Sequence, residues 1–318
     1  MIRVRARLAI AAALIALAAP AAAFQGGDVY WAPGSCDPPP CPMYKVDAAL
    51  GTVSPFVSID PAPGQFAWEP DRSALYVSQF ESGTVLRITT AGAVSTWATG
   101  IAGATGLLMT TGGTLLVASY YDGAVYDVTT SGDYSTAAAF AYGFTTPRNL
   151  LERSNGEILL VDQTGRAVFD ISGGGNFTNA APFAFGFLIG AYDLVEDAYG
   201  QLFLSTRLGV QDVTDGGDFS SVSPFAWGRF VVGLTIDPDG RLLAAEIETG
   251  AIYDISDGGD FSSTSGVTPI AMVPGGLGDS ALDTVAFDGS GSPQVPALGP
   301  LAYALLASLL LASGARSR

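Results

Sequence analysis

Tyr253-Asp254-Ile255 is the last of six copies of one short pattern: an aromatic or bulky residue, then a charged residue, then valine or isoleucine. The earlier copies are Tyr44-Lys45-Val46, Leu86-Arg87-Ile88, Tyr126-Asp127-Val128, Phe169-Asp170-Ile171 and Gln211-Asp212-Val213. Their final residues are 42, 40, 43, 42 and 42 positions apart. A fixed period of this length is typical of a repeat architecture.

Each copy lies within a unit that contains four predicted strands. An alternating strand such as Leu75-Tyr76-Val77 precedes the copy, and a more apolar strand such as Leu107-Leu108-Met109 lies further upstream. A Gly/Asp turn follows, and then a short aromatic strand, for example at residues 181–184 and 223–226. Four short strands separated by turn residues within one period of this length are typical of a β-propeller blade.

The fold class expected is therefore all-β: a six-bladed β-propeller with four-stranded blades. The innermost strand of blade one is missing at the start of the chain, and residues 282–287 supply a strand of that kind near the end. We expect this C-terminal strand to pair with a strand at residues 28–32, which closes the ring and removes an open sheet edge. A seven-bladed ring and an open solenoid are the alternatives, and no seventh copy occurs near residue 297.

Both ends of the chain read as export signals. Residues 1–23 combine Arg3, Arg5 and Arg7 with an apolar stretch at 8–19 and small residues at 21–23, which predicts a cleaved signal peptide. The propeller domain is expected at residues 24–289, in the periplasm, at the cell surface or outside the cell. An uncleaved N-terminal anchor is the alternative.

The segment 290–318 is predicted to be a linker followed by a hydrophobic transmembrane or sorting helix. Residues 301–312 are almost wholly apolar, and Arg316 and Arg318 follow them. The order of proline motif, apolar helix and basic end resembles the PEP-CTERM-like sorting signals, although Val295-Pro296-Ala297-Leu298 replaces the literal Pro-Glu-Pro. The resemblance implies sorting or processing machinery of the inner membrane as a partner; a permanent tail anchor is the alternative.

The charge of the chain excludes some functions. Between residues 24 and 290 there are thirty acidic residues and nine basic ones, a formal charge of −21, so nucleic-acid binding is not expected. The chain contains no histidine, which excludes a Ser-His-Asp triad and any histidine-based zinc site; a bound metal would be an oxygen-preferring ion such as calcium.

Cys36 and Cys41 are expected to form a disulfide, with free thiols or a redox pair as the alternative.

The repeats resemble those of the NHL-like and SMP-30/gluconolactonase-like six-bladed propellers. Residues 233–242 are similar to that group's inner-strand, turn and second-strand motif, and residues 253–262 are similar to a repeat of exported bacterial propellers. That resemblance covers residues 27–288 and implies a divalent-ion site where the innermost strands begin, at Gln65, Thr105, Asn149, Asp193, Val232 and Asp283. Asn149, Asp193 and Asp283 are the candidate calcium ligands that it implies, with Glu69 nearby. Val232 stands where the family has an acid and Gln65 where it has a glutamate. The streptogramin-lyase-like propellers share the fold, but their chemistry is expected to need a histidine.

Two further features permit a binding or a structural interpretation. Two acidic segments have a composition that could bind calcium and that is also typical of hairpin turns: Asp215-Gly216-Gly217-Asp218 and Asp257-Gly258-Gly259-Asp260. Because the segment is repeated, the structural interpretation as a hairpin turn is favoured. The aromatic pairs Tyr142/Phe144, Phe185/Phe187 and Trp227/Phe230 could stack on sugars; their regular position favours packing between blades.

Two functions follow from these observations. The first is a non-catalytic binding or scaffold protein at the cell surface or in the extracellular matrix, with a protein or a polysaccharide as its partner. The alternative is a calcium-dependent hydrolase of the lactonase type.

Overall fold

The computed structural model describes residues 29–31, 40–47, 52–61, 63–236, 240–246, 251–263, 265–269 and 271–272. Throughout these residues the regular structure is β-strand, and none of them forms a helix of the length and apolarity that crossing a membrane requires. The predicted signal peptide, Cys36, the closing strand with Asp283, and the tail lie outside the described residues.

In chain order the strands are β1 (Val29–Trp31), β2 (Cys41–Asp47), β3 (Thr52–Ile59), β4 (Phe66–Trp68), β5 (Ala74–Gln79), β6 (Thr84–Thr89), β7 (Val94–Thr99), β8 (Ala104–Met109), β9 (Leu115–Ser119), β10 (Ala124–Asp127), β11 (Gly132–Asp133), β12 (Ala141–Tyr142), β13 (Pro147–Glu152) and β14 (Ile158–Asp162). They continue with β15 (Ala167–Asp170), β16 (Gly175–Asn176), β17 (Ala184–Phe185), β18 (Ala191–Glu196), β19 (Leu202–Thr206), β20 (Gly209–Asp212), β21 (Gly217–Asp218), β22 (Ala226–Trp227), β23 (Val231–Ile236), β24 (Leu242–Glu246), β25 (Ala251–Asp254), β26 (Gly259–Asp260) and β27 (Ala271–Met272).

Within the described residues these strands form six sheets, which we number along the chain. Sheet one has the order β1-β2-β3, sheet two β4-β5-β6-β7-β11, and sheet three β8-β9-β10-β12-β16. Sheet four is β13-β14-β15-β17-β21, sheet five β18-β19-β20-β22-β26, and sheet six β23-β24-β25-β27. The first strands of neighbouring sheets pack against one another, so they face a shared interior. This all-β, multi-sheet arrangement is that of a β-propeller.

The six copies of the sequence pattern lie on or at the end of equivalent strands: β2, β6, β10, β15, β20 and β25. Their aspartates explain why the pattern recurs. In sheet three Asp127 Oδ1 accepts a hydrogen bond from Thr129 N at 3.0 Å, and Thr129 Oγ1 accepts one from Leu115 N at 3.0 Å. The same two linked hydrogen bonds occur in sheets four, five and six, with Asp170 and Ser172, Asp212 and Thr214, and Asp254 and Ser256. The charged residue therefore holds the start of the second strand in each of these sheets.

The prediction of four-stranded blades is wrong for sheets two to five, which each have a fifth strand. This strand is a two-residue segment of the following repeat, and it adds in parallel to the outer strand of the preceding sheet. Gly217 and Asp218, for example, pair with Ala184 and Phe185. The equivalent additions are β11 on β7, β16 on β12 and β26 on β22. Each addition covers a sheet edge and joins neighbouring repeats through backbone hydrogen bonds.

The outer strands also begin later than the sequence indicates. The predicted segments 181–184 and 223–226 contribute only their last residue, because the regular outer strands are Ala184–Phe185 and Ala226–Trp227. Pro182 and Pro224 stand before these strands, and proline cannot donate to a strand ladder.

The apolar core lies between successive sheets rather than in one central cluster. Leu159 and Val161 of sheet four, for example, belong to one buried group with Leu202 and Leu204 of sheet five. Cys41, at the start of β2, is buried. Its disulfide with Cys36 stays a prediction, since Cys36 lies outside the described residues.

Candidate functional site

The innermost strands begin at one face of the molecule, which we call the front face; the opposite one, where these strands end, is the back face. The register slips at or near the start of four of these strands, for example between Pro147 and Asn149 and between Ala191 and Leu194. A bulge changes the direction in which a strand's side chains project. Asn149 and Asp193 lie at these bulges, near the starts of innermost strands, and the sequence had predicted the strand starts but not the bulges.

The predicted front-face residues connect neighbouring sheets at intervals of one repeat. Gln65 Oε1 accepts a hydrogen bond from Leu107 N at 3.0 Å, and Thr105 Oγ1 donates to Pro147 O at 3.2 Å. Gln65, which the resemblance placed at a metal-binding glutamate position, therefore uses its side chain to bind the backbone of sheet three.

Asn149 and Asp193 continue this series between sheets four and five. Asn149 Nδ2 donates to Asp193 Oδ1 at 2.8 Å. The same Oδ1 accepts from Leu194 N at 2.9 Å, and Asp193 Oδ2 accepts from Leu234 N of sheet six at 2.8 Å. Asp193 is only 5% exposed. Both of its carboxylate oxygens are thus directed at N–H donors of three successive sheets, which stabilises the buried charge.

One atom of this group has no such partner. Asn149 Oδ1 is buried and accepts no hydrogen bond from the described residues. A buried acceptor without a donor is uncommon in proteins and is a position where a water molecule or a cation can bind. It is the one observation at this location that favours a ligand over a purely structural role.

The prediction that Glu69 lies near this group is wrong. Glu69 follows β4 at the back face, at the end opposite Gln65, and it accepts hydrogen bonds from Arg87 Nη2 at 2.9 Å and from Tyr76 Oη at 2.6 Å. Ser73 also donates to it. Burial alone would raise the pKa of Glu69, but the hydrogen bonds from Arg87, Ser73 and Tyr76 outweigh burial and lower that pKa to about 2. Burial, together with the bond to Glu69, raises the pKa of Tyr76 to about 12.

The back face also contains carboxylates that sequence reasoning missed. Glu152 Oε2 accepts from Thr111 N of the preceding sheet at 2.6 Å, and Glu196 Oε2 accepts from Ser154 N at 2.6 Å. The signal that could have found them is an acid at the end of each of two successive innermost strands, one repeat apart.

The acidic turns have a structural role that neither interpretation anticipated fully. Asp218 Oδ1 accepts from Ser220 N at 2.8 Å, just beyond the two residues that pair with sheet four. Asp133 and Asp260 make the same contact with Ser135 and Ser262. These backbone hydrogen bonds lower the pKa of all three exposed carboxyl groups. The turns therefore attach each repeat to the preceding one, rather than closing a hairpin within a blade.

The aromatic pairs divide into two classes. Phe144 and Phe187 are buried and stack on Phe177 and Phe219 of the following repeat, with ring centroids 5.2 and 5.4 Å apart, which confirms the packing interpretation for them. Phe230 also packs between sheets, with its ring centroid 5.0 Å from that of Tyr192. The companions at the outer strands are 40–46% exposed, so the packing interpretation stays a prediction for them: Tyr142, Phe185 and Trp227.

No family model matches this chain. No curated protein matches it in sequence either.

Solved structures share its fold at low sequence identity. A catalytically inactive virginiamycin B lyase from Staphylococcus aureus, with quinupristin, has a TM-score of 0.52 and 12% identity over 78% of this chain and 86% of its own. A chain of a nidogen/laminin complex has a TM-score of 0.52 and 13% identity, over 72% and 88%. A protein described as a 6-phosphogluconolactonase from Bacteroides fragilis has a TM-score of 0.50 and 16% identity, over 77% and 82%. At these identities the likeness shows a β-propeller and does not distinguish among activities.

Proposed function

We propose that this chain is an exported six-bladed β-propeller that acts as a non-catalytic binding or scaffold protein at the cell surface or in the extracellular matrix. The observation that carries the proposal is the use of the front-face side chains. The resemblance assigns the family's ion to the positions of Gln65, Asn149 and Asp193, and each of these side chains is instead hydrogen bonded to a neighbouring strand.

The proposal includes closure of the ring by the C-terminal strand. Sheet one has three strands among the described residues, with β1 at one edge and paired to β2 through Tyr30 and Lys45. Residues 282–287 have the alternation of a strand and would supply the fourth. Pairing of this kind closes a ring without leaving an exposed edge.

The location in the cell and the partner belong to the same proposal. The N-terminal and C-terminal segments have the composition of a signal peptide and a sorting helix. The similar chain from a nidogen/laminin complex belongs to a protein–protein assembly, which is consistent with a propeller that binds another macromolecule. Surface proteins and polysaccharides are the partner classes to be screened first.

A lyase activity like that of the similar virginiamycin B lyase is disfavoured by composition. The inactive form of that enzyme lacks one histidine, and this chain contains no histidine at all.

The second candidate is a calcium-dependent hydrolase of the lactonase type, and the unpaired Asn149 Oδ1 is what favours it. The described residues fit a calcium ion poorly. Calcium takes six to eight oxygen ligands, whereas both oxygens of Asp193 already accept N–H donors. The described residues also include no group of three or more acidic or cysteine side chains that could hold a metal. An ion would therefore have to displace hydrogen bonds between sheets.

A lactone assay distinguishes the two candidates. The purified protein is incubated with simple aldonolactones with calcium and with a chelator, beside Asn149→Ala and the matched front-face control Glu81→Gln. The binding proposal expects no hydrolysis above background in any sample. Calcium-dependent hydrolysis that Asn149→Ala abolishes and Glu81→Gln retains would overturn it and establish the second candidate.

A further inference from the structure

The front-face loops of sheets four and five, together with the segment that leads into sheet six, differ in charge from the rest of this acidic chain. Residues 143–148, 163–166, 186–192, 206–209 and 228–232 contain four arginines and no aspartate or glutamate. Arg148 is the second residue of β13, Arg166 lies in the turn before β15, and Arg207 lies in the turn before β20. We call these three residues the arginine arc.

Aromatic rings hold two members of the arc in place. The guanidinium carbon of Arg148 lies 5.2 Å from the centroid of the Tyr192 ring, and that of Arg207 lies 4.9 Å from the centroid of Phe230. The rings of Tyr192 and Phe230 are themselves 5.0 Å apart. A continuous series of contacts thus joins the two cations, and their long side chains are ordered before any ligand arrives.

Arg166 occupies a backbone conformation that favours glycine. Its φ is +54°, and the equivalent turns of sheets two and three place Gly83 and Gly123 there with φ of +64° and +62°. A side chain in this region costs free energy, so an exposed arginine here is unfavourable for folding alone. It contacts the protein through Nη1, which donates to Leu188 O at 3.3 Å.

Asp162 and Asp193, the aspartates of the strands next to the arc, are buried and accept hydrogen bonds. Asp162, 2% exposed, accepts hydrogen bonds from Thr145 N and Thr146 N at 2.7 and 2.8 Å, and from Gly165 N at 3.1 Å. Asp193 is likewise buried and bonded as described above. These carboxylates are directed into the molecule, so the exposed surface of the arc is cationic.

Exposed apolar side chains flank the arc. Leu188, Ile189 and Leu208 are 64%, 40% and 41% exposed, and they lie in the same loops as the arginines or next to them. Guanidinium groups bind carboxylates in a bidentate manner, and exposed leucines favour apolar contacts. Tyr192 is buried and covered by Arg148, so it offers no open ring face for a sugar.

We infer that the arginine arc is the docking surface for an extended acidic peptide segment of a partner protein, in which carboxylate and apolar side chains alternate. A long uniform polyanion fits less well, because the remainder of the domain would repel it. The inference rests on the proposed binding function and specifies the chemistry of its partner.

The test measures binding of a short fluorescent peptide of alternating glutamate and leucine to the full-length protein, by fluorescence anisotropy at low and high salt. The perturbing variant is Arg166→Gly/Arg207→Gln, which removes two exposed cations and gives position 166 the residue of the equivalent turns. The control is Arg241→Gln, which removes a cation at the back face. We expect the double variant to weaken binding by about tenfold or more, with a smaller salt dependence, and the control to bind like the wild type.

One further variant and one altered peptide separate the apolar from the charged contribution to binding. Leu188→Ser is expected to weaken the peptide several-fold, and a peptide with glutamine in place of glutamate is expected not to bind. Equal binding of the double variant and the wild type would overturn the inference. Binding of polygalacturonate but not of the peptide would overturn the peptide assignment while the binding function survives, whereas lactone hydrolysis would remove that function itself.

Discussion

Replacing Asp193 with alanine should destabilise the fold strongly even when no metal is present. The carboxylate accepts hydrogen bonds from Asn149 Nδ2, Leu194 N and Leu234 N, and the residue is 5% exposed. Each buried donor that loses its acceptor costs about 1–3 kcal/mol, and entry of water into the space recovers part of that cost. The expected loss in the free energy of unfolding is therefore about 3–5 kcal/mol.

The assay is guanidinium unfolding in the presence of a chelator, followed by intrinsic tryptophan fluorescence. Asp193→Asn keeps one acceptor and should lose about 2 kcal/mol, whereas Asp215→Ala, at an exposed turn of the back face, should change stability by less than about 0.5 kcal/mol. If Asp193→Ala loses less than about 1 kcal/mol without calcium and much more with it, the carboxylate acts mainly as a metal ligand rather than as an acceptor for the three N–H donors.

Three further changes probe other parts of the fold. Gln211→Leu should stabilise the protein by about 1 kcal/mol in thermal unfolding, because Gln211 Oε1 is buried without a partner among the described residues; a loss would contradict this. The pKa of Glu69 is lowered to about 2, so its pair with Arg87 stabilises the fold fully above about pH 5, and this contribution is lost as the pH falls towards 2. Both side chains are a fifth to a quarter exposed, so the loss in the free energy of unfolding should be about 1–2 kcal/mol. Urea unfolding midpoints measured between about pH 5 and pH 2 should show this loss in the wild type and not in Glu69→Gln. Gly143→Ala should cost more than about 2 kcal/mol, since its φ is +99° and a Cβ would approach Thr178 N to 2.5 Å; a smaller change in the guanidinium midpoint would show that the turn can move.

Much of the fold follows from periodicity that is visible in the sequence. The pattern that ends at Ile255 recurs often enough to locate the third strand of sheets two to six, and alternation locates the second. The fifth strands could not be found in this way. Gly217 and Asp218 form a strand of two residues, too short to show any alternation, and its partner Phe185 lies more than thirty positions earlier in the chain.

The candidate site was located by position but not by chemistry. Asn149 and Asp193 lie near the starts of innermost strands, as predicted, yet the sequence does not reveal that the amide of one donates to the carboxylate of the other. Glu69 was misplaced because one innermost strand separates the two faces, so a residue four positions from Gln65 lies at the opposite end. Arg166 escaped notice because its conformation, rather than its identity, is unusual.

We propose that the front-face residues bind neighbouring sheets rather than an ion. The most direct test is calorimetric titration of the purified protein with calcium, repeated on Asn149→Ala, which removes the one unpaired buried oxygen of the group. We expect no tight site in either protein, and weak surface binding that the substitution leaves unchanged. One tight site per molecule in the wild type that disappears in Asn149→Ala would instead place an ion at the front face, bound through Asn149.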